Sequence, residues 1–334
     1  MSVLSAHIGS KQVTFLAPGL PKKGYEIFRF PFLYNPVLQV HFTDRKTFYT
    51  DVFRYAIKKL GLSVQDCDIL ICSDLEPVEL DLDIKVSTPA SALLADLLDF
   101  NVMYVNSTTS ITPSRMSKED ILAFLANLAL VPNMIVEKAK FKMYHDFVRF
   151  GSLDKAYELD PKLPILFCGD RFSSEYVKDT DMFQSLLTHI RTPGVFSVLV
   201  DMNGSYLPSL MLKKYRPEVY ESLLSPDVIP TILGTVVRVD SAVECLFSTD
   251  SGTSQFFEVP RNNLFFVPLE GGSKAHISVK SSSLGQYEGT VGGGKLGFVV
   301  DTRSIDSNDP GIEEENIISY ENIERQIGEA LAVL

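Results

Sequence analysis

The chain has 334 residues, length enough for about two domains. Acidic residues outnumber basic ones 42 to 31, a formal charge of −11, and 45% of residues are hydrophobic against 22% charged. That balance excludes a disordered chain, a disulfide scaffold and a collagen-like repeat, and it lacks the basic surplus by which a general nucleic-acid binder meets phosphate.

In chain order, residues 2–7 and 13–17 read as two short strands joined by a tight turn through Gly9, Ser10 and Lys11. Residues 25–32 and 37–42 supply further extended, aromatic-rich pieces divided by Asn35 and Pro36. From 44 to 60 the period changes: Phe48, Val52, Tyr55, Ala56 and Leu60 share one helical face, and Gly61 follows where a helix end favours glycine. Residues 68–72 form the short apolar run of a buried parallel strand. A helix opening at Thr88 and Pro89 runs to 99, and a strand covers 102–105. A capping-box start at Ser117 opens a helix ending near Pro132, and a second helix covers 133–150. A meander of strands, a helix, and then alternating strands and helices is the order of a ribonuclease-H-like or actin-like α/β domain, a mixed sheet with helices on both faces.

The alternation continues with a strand at 163–168 ending at Gly169, a helix at 181–190 and a strand at 195–200. Helical segments follow at 206–213 and, behind Pro217, at 218–224. Beyond Pro230, strands at 232–239, 242–249, 255–259, 264–269, 275–279 and 296–300 predict a small β-sandwich or barrel. A polar linker at 304–311 leads to an acidic amphipathic helix ending at Leu334, read either as docked on its own domain or as an interaction tail. The expected division is therefore 1–228 for the α/β domain, 229–304 for the β domain and 305–334 for linker and helix.

Cys67, Cys72, Cys168 and Cys245 lack metal spacing and read as reduced, buried thiols of a cytoplasmic protein. The five histidines likewise show no metal spacing, and no nucleophile elbow is present. The first residues have no signal-peptide pattern, and no apolar run approaches the ~18 residues of a membrane span. The acidic stretch Asp74, Glu76, Glu79, Asp81 and Asp83 alternates with Leu80, Leu82 and Ile84 toward its end, the pattern of a solvated face rather than of metal-binding carboxylates.

Three segments carry a family resemblance. They are Gly169-Asp170-Arg171-Phe172, then Thr192-Pro193-Gly194-Val195 with the following Val200-Asp201, and the run from Val291 to Arg303 with its glycines, Leu296-Gly297, apolar strand and Asp301-Thr302-Arg303. Together they resemble the MutL-type accessory proteins of B12-dependent glutamate mutase, members of the actin-like ATPase superfamily. In that light the segment from His7 to Thr14 is similar to a phosphate loop, and the chain is similar mainly to the family's C-terminal half. The resemblance implies candidate nucleotide contacts at His7, Gly9, Ser10, Lys11, Gly169 and Asp170. It also implies a structural signature at Gly293, Gly294, Gly297, Asp301 and Arg303.

The departures from the family pattern decide the expected function. Such ATPases place aspartate where His7 stands, because a hard cation takes carboxylate oxygen. Lys11 and Gln12 replace the usual hydroxyl pair, and Asp170 replaces a glycine. The turn reading of Gly9-Ser10-Lys11 is therefore preferred to a phosphate cradle, and Gly292 to Lys295 fails the P-loop context because a strand follows. ATP hydrolysis by this chain alone is not expected. The expectation is a non-catalytic scaffold or accessory protein acting through protein partners, without nucleic acid, membrane span, metal or cofactor, and with self-association left open. The alternatives are an ATP- and Mg²⁺-dependent accessory factor for a cobalamin mutase, or an actin-like assembly component of a cell-envelope machine.

Overall fold

Strands β1 (Ser2–Ile8) and β4 (Cys67–Ser73) are buried along nearly their whole lengths, as apolar runs covered on both faces must be. In the computed structural model, which describes residues 2–9, 12–19, 24–31, 44–74, 78–104, 159–169, 187, 190, 192–223, 230–250 and 252–303, these two strands pair in parallel. They form the centre of a five-stranded sheet with β2 (Gln12–Pro18), β3 (Tyr25–Pro31) and β5 (Ile84–Pro89), in the order β3-β2-β1-β4-β5. The first three strands are an antiparallel meander, and β5 is parallel to β4.

Helix α1 (Arg45–Lys59) makes the crossover between β3 and β4. Asp44 starts it by accepting the Thr47 amide at 3.1 Å and the Thr47 hydroxyl at 3.0 Å, and Lys58 and Lys59 complement the dipole at its end. Its buried face is Tyr49, Val52, Phe53, Ala56 and Ile57, rotated from the predicted stripe. Tyr55 is exposed on its flank, with its ring 5.9 Å from both Phe28 and Phe30 of β3. That face covers Leu4, Ile8, Phe15, Ile69 and Ile71 of the sheet. Each such fully buried side chain contributes about 1.5–3 kcal/mol.

The opposite face of the same sheet, Val3, Leu16, Leu70 and Cys72, packs on α2 (Ala90–Leu94) and α3 (Tyr206–Tyr215). Ser5 Oγ donates to the Pro208 carbonyl at 2.7 Å, and Asp68 at the start of β4 is neutralised by Arg216, just past α3. The predicted helix from 88 to 99 is shorter than expected. Thr88 and Pro89 remain extended because they pair with Cys72 and Ser73 in the sheet, so the helix begins at Ala90.

A six-stranded sheet has the order β12-β15-β9-β8-β7-β6. Its strands are β6 (Asn101–Tyr104), β7 (Ile165–Cys168), β8 (Gly194–Val200), β9 (Thr231–Arg238), β12 (Leu264–Val267) and β15 (Gly297–Asp301). β6, β7 and β8 run parallel, β9 opposes β8, and β15 is parallel to β9. Leu166 of this sheet joins α3 in one cluster with the five-stranded sheet, so α3 lies between the two sheets.

A four-stranded antiparallel sheet, β11 (Ser254–Val259), β10 (Val243–Thr249), β13 (Lys274–Ser281) and β14 (Gly285–Gly292), packs Cys245, Phe247, Ile277 and Val279 against Val237, Phe298 and Val300. The strands predicted after Pro230 are thus shared between two sheets. β8 and β9 pair across the expected boundary at 228 and 229, so one sheet takes strands from both sides of it. β14 was not predicted. Its glycines at 285, 289 and 292 carry no apolar signal, and full-length pairing with β13 specifies it instead. A short helix α4 (Pro217–Tyr220) follows α3. The chain is α/β with mixed sheets, many strands and few helices among the described residues. The expected strand at 37–42, the helices at 117–132, 133–150 and 181–190, and the segment from 304 to 334 lie outside the described residues, entirely or almost so.

Candidate functional site

Parallel strands send their carboxyl ends to one side of a sheet, and ligand sites in α/β proteins collect there. Five such ends meet in this fold. β1 delivers His7, β4 delivers Cys72 and then Asp74, β6 delivers Tyr104, β7 delivers Cys168, and β8 is followed directly by Asp201.

His7 is only 3% exposed, and its Nε2 lies 2.8 Å from Asp74 Oδ1. A carboxylate only accepts, so the ring proton sits on Nε2 and is donated to Asp74. The Tyr104 hydroxyl, from the other sheet, donates to the same Asp74 oxygen and stands 3.2 Å from His7 Nε2. The Asp74 amide donates to the Ile8 carbonyl at 3.0 Å, tying the ends of β1 and β4 together. Asp74 Oδ2 is buried with no hydrogen-bond partner among the described residues.

Asp201 follows β8 at the same set of strand ends, near enough to feel His7. Its carboxylate accepts the Ser205 amide at 3.1 Å and the Tyr206 amide at 3.0 Å, capping the first turn of α3. Burial pushes its pKa up to about 6, although those two amides and the nearby His7 pull it down. Burial likewise raises the Cys72 and Cys168 thiols well above the ordinary range, with Asp74 adding to both and Asp201 to Cys168. Such thiols are poor nucleophiles.

Of the residues expected at a phosphate loop, His7 is turned into the protein and the Gly9 amide closes the hairpin onto the Gln12 carbonyl at 3.0 Å. Gly169 ends β7 with φ +117°, at the same junction as Cys168. Ser10, Lys11 and Asp170 lie outside the described residues. In the acidic stretch, Glu79, Asp81 and Asp83 are exposed while Leu80 is buried and Leu82 and Ile84 are half-buried, the alternation of a solvated face. Glu76 lies outside the described residues.

The C-terminal signature is elsewhere, between β9 and β15. Asp301 is fully buried and paired with Arg238 at 2.6 Å, and it accepts Arg303 Nε at 2.8 Å and Arg303 Nη2 at 2.7 Å. Burial opposes its charge, but Arg303 and Arg238 outweigh that and its pKa is lowered. A Cβ on Gly293 would stand 2.2 Å from the Glu270 carbonyl oxygen, and one on Gly294 2.5 Å from that of Ile232. Gly297, at φ +66°, passes so near Gly234 that a Cβ there would lie 2.1 Å from its oxygen. These glycines let backbones cross rather than cradle a ligand.

Sequence reasoning missed Tyr104 and the role of Asp74. The usable signal was position: each stands at or just past the end of a buried strand that the pattern had located. Among the described residues, no group of three or more His, Cys, Asp or Glu side chains is placed to hold a metal ion, and no helix is long and apolar enough to cross a membrane. The chain matches no protein-family model, no curated protein and no solved structure.

Proposed function

We propose that this chain is a non-catalytic scaffold on a degenerate actin-like fold, acting in the cytoplasm through contacts with protein partners. The order β3-β2-β1-β4-β5, with a meander first and a helical crossover into the parallel strands, supports a ribonuclease-H-like ancestry for the first sheet. The single observation that carries the loss of catalysis is the state of His7. At the end of β1, where a nucleotide-hydrolysing relative needs an exposed carboxylate for Mg²⁺, a buried imidazole is bonded inward to Asp74 and approached by Tyr104.

A second reading, an ATP- and Mg²⁺-dependent accessory factor for a cobalamin mutase, is favoured by one arrangement. Asp74 and Asp201 bring two carboxylates from different sheets to the same strand ends. Both are engaged within the fold, Asp74 by His7 and Tyr104 and Asp201 by the amides of α3, which is why the scaffold reading is preferred. A role in a cell-envelope assembly would add a membrane-associated partner to the same scaffold.

Calorimetric titration of the full chain with ATP and ADP, with and without Mg²⁺, tests the proposal. No heat of binding at millimolar nucleotide is the expected result. Saturable, Mg²⁺-dependent binding would overturn it.

A further inference from the structure

The four-stranded sheet ends in two edges of different character. At β14 the outward row, Gln286, Glu288 and Thr290, is polar, and three glycines weaken the strand. At β11 the strand runs Ser-Gln-Phe-Phe-Glu-Val, with no lysine or proline and an unbroken register against β10. Natural edges are blunted by such residues or by bulges, because an open row of amides and carbonyls invites another strand.

The β11 edge is also apolar on both faces. Phe256 is 63% exposed and sits opposite Leu246 of β10, itself 44% exposed. Phe257 points to the other face, its ring centroid 4.7 Å from that of Phe265 in β12, which is exposed as well. Two residues from Phe256, Glu258 stands directly opposite Glu244. Glu244 has Lys280 at 3.8 Å, whereas Glu258 has no cationic partner among the described residues. Like charges directly opposite one another in a sheet are unfavourable.

We propose that β11 is the docking edge for an extended segment of a partner protein, added antiparallel, with an apolar residue facing Phe256 and a lysine or arginine facing Glu258. This rests on the scaffold reading and names the partner's chemistry. An antiparallel addition continues the sheet, and its main-chain bonds supply affinity while alternate side chains supply specificity. In that direction the cation precedes the apolar residue by two positions. The side chain between them falls on the Phe257 and Phe265 face. A second copy of this chain fits less well. Antiparallel pairing of β11 with itself about Phe256 would place Glu258 opposite Ser254 and leave both glutamate pairs unrelieved. A formal charge of −11 also draws a basic partner rather than a copy.

The probe is a fluorescein-labelled peptide, Thr-Thr-Lys-Val-Val-Thr-Thr-Thr, titrated with the full chain and read by anisotropy. Saturable binding is expected, weakened about threefold to fivefold when glutamate replaces the peptide's lysine. Glu258→Lys should reverse that preference. Phe256→Ser should weaken binding about tenfold or more, with an unchanged thermal melt because the residue lies on the surface. The proposal is overturned if the wild-type chain shows no saturable binding at about 1 mM, or if either substitution leaves binding unchanged. It is equally overturned, in favour of a second copy, if the chain dimerises and Phe256→Ser abolishes the dimer. Nucleotide titration decides the scaffold reading separately, since Mg²⁺-dependent ATP binding would sink that reading without moving the peptide result.

Discussion

The Tyr104 hydroxyl, on the edge strand of the six-stranded sheet, donates to the Asp74 carboxylate at the end of a central strand of the five-stranded sheet. It is a polar link between two sheets otherwise joined through the apolar packing around α3. Tyr104→Phe removes the donor and leaves the ring. The expected loss is about 2 kcal/mol, in the range for a hydrogen bond to a charged group, read as a lower urea midpoint with unchanged slope.

An aspartate at position 7, which the actin-like resemblance would place there, is not expected to confer ATP hydrolysis. In His7→Asp a second carboxylate would stand beside Asp74, buried, in place of its hydrogen-bond donor. Uncompensated buried charge costs about 3–5 kcal/mol, so the variant is expected to lose stability of that order and to release no phosphate from ATP. Phosphate release by a folded His7→Asp protein would count against the scaffold reading.

Asp201 sets a pH dependence whose sign follows from burial. Its pKa rises from 3.8 to about 6 on folding, so between those values the folded state binds more protons than the unfolded one. Its contribution is therefore most favourable below pH 3.8 and is lost as pH rises through about 6. Asp201→Asn cannot titrate, so its stability relative to wild type should climb by up to about 3 kcal/mol across that window. Denaturation curves at several pH values measure the difference, and parallel profiles would refute the assignment.

The five strand ends were legible one at a time but not together. Residues 2–7 read as a strand beside the tight turn at Gly9, Ser10 and Lys11, and 68–72 as a short apolar run, and both are strands in the structure. What the sequence could not convey was which strand end meets which. His7 and Asp74 are 67 residues apart and His7 and Tyr104 are 97 apart, and no local period encodes such a contact. The rotated face of α1 has a similar cause. Tyr55 fits an apolar stripe by hydropathy, but Tyr49 and Phe53 fill the core against the sheet and Tyr55 lies at the β3 flank. Thr88 and Pro89 carry a helix-start signal, and ladder bonds to β4 override it.

Asp301 is the partner that two arginines share. Asp301→Ala would strand Arg238, which is 5% exposed, in the protein interior, and the expected cost is about 3–5 kcal/mol. Arg303→Ala leaves Arg238 in place and should cost less, because Arg303 is nearer the surface. Thermal melts of the two variants should rank in that order. The reverse ranking would place the weight of the cluster on Arg303.

The six-stranded sheet draws strands from Asn101–Tyr104 through to Gly297–Asp301, and β9 waits for β15 as its parallel neighbour. The five-stranded sheet needs nothing beyond Pro89 for its own ladder. During synthesis, then, the first sheet can assemble while the ribosome is still reading the middle of the message, whereas the second cannot close until residue 301 has emerged. Contacts of such separation form slowly and leave strand edges open in the interval. The nascent chain is most exposed to misassociation after β9 has appeared and before β15 arrives, and a chaperone requirement would fall in that window.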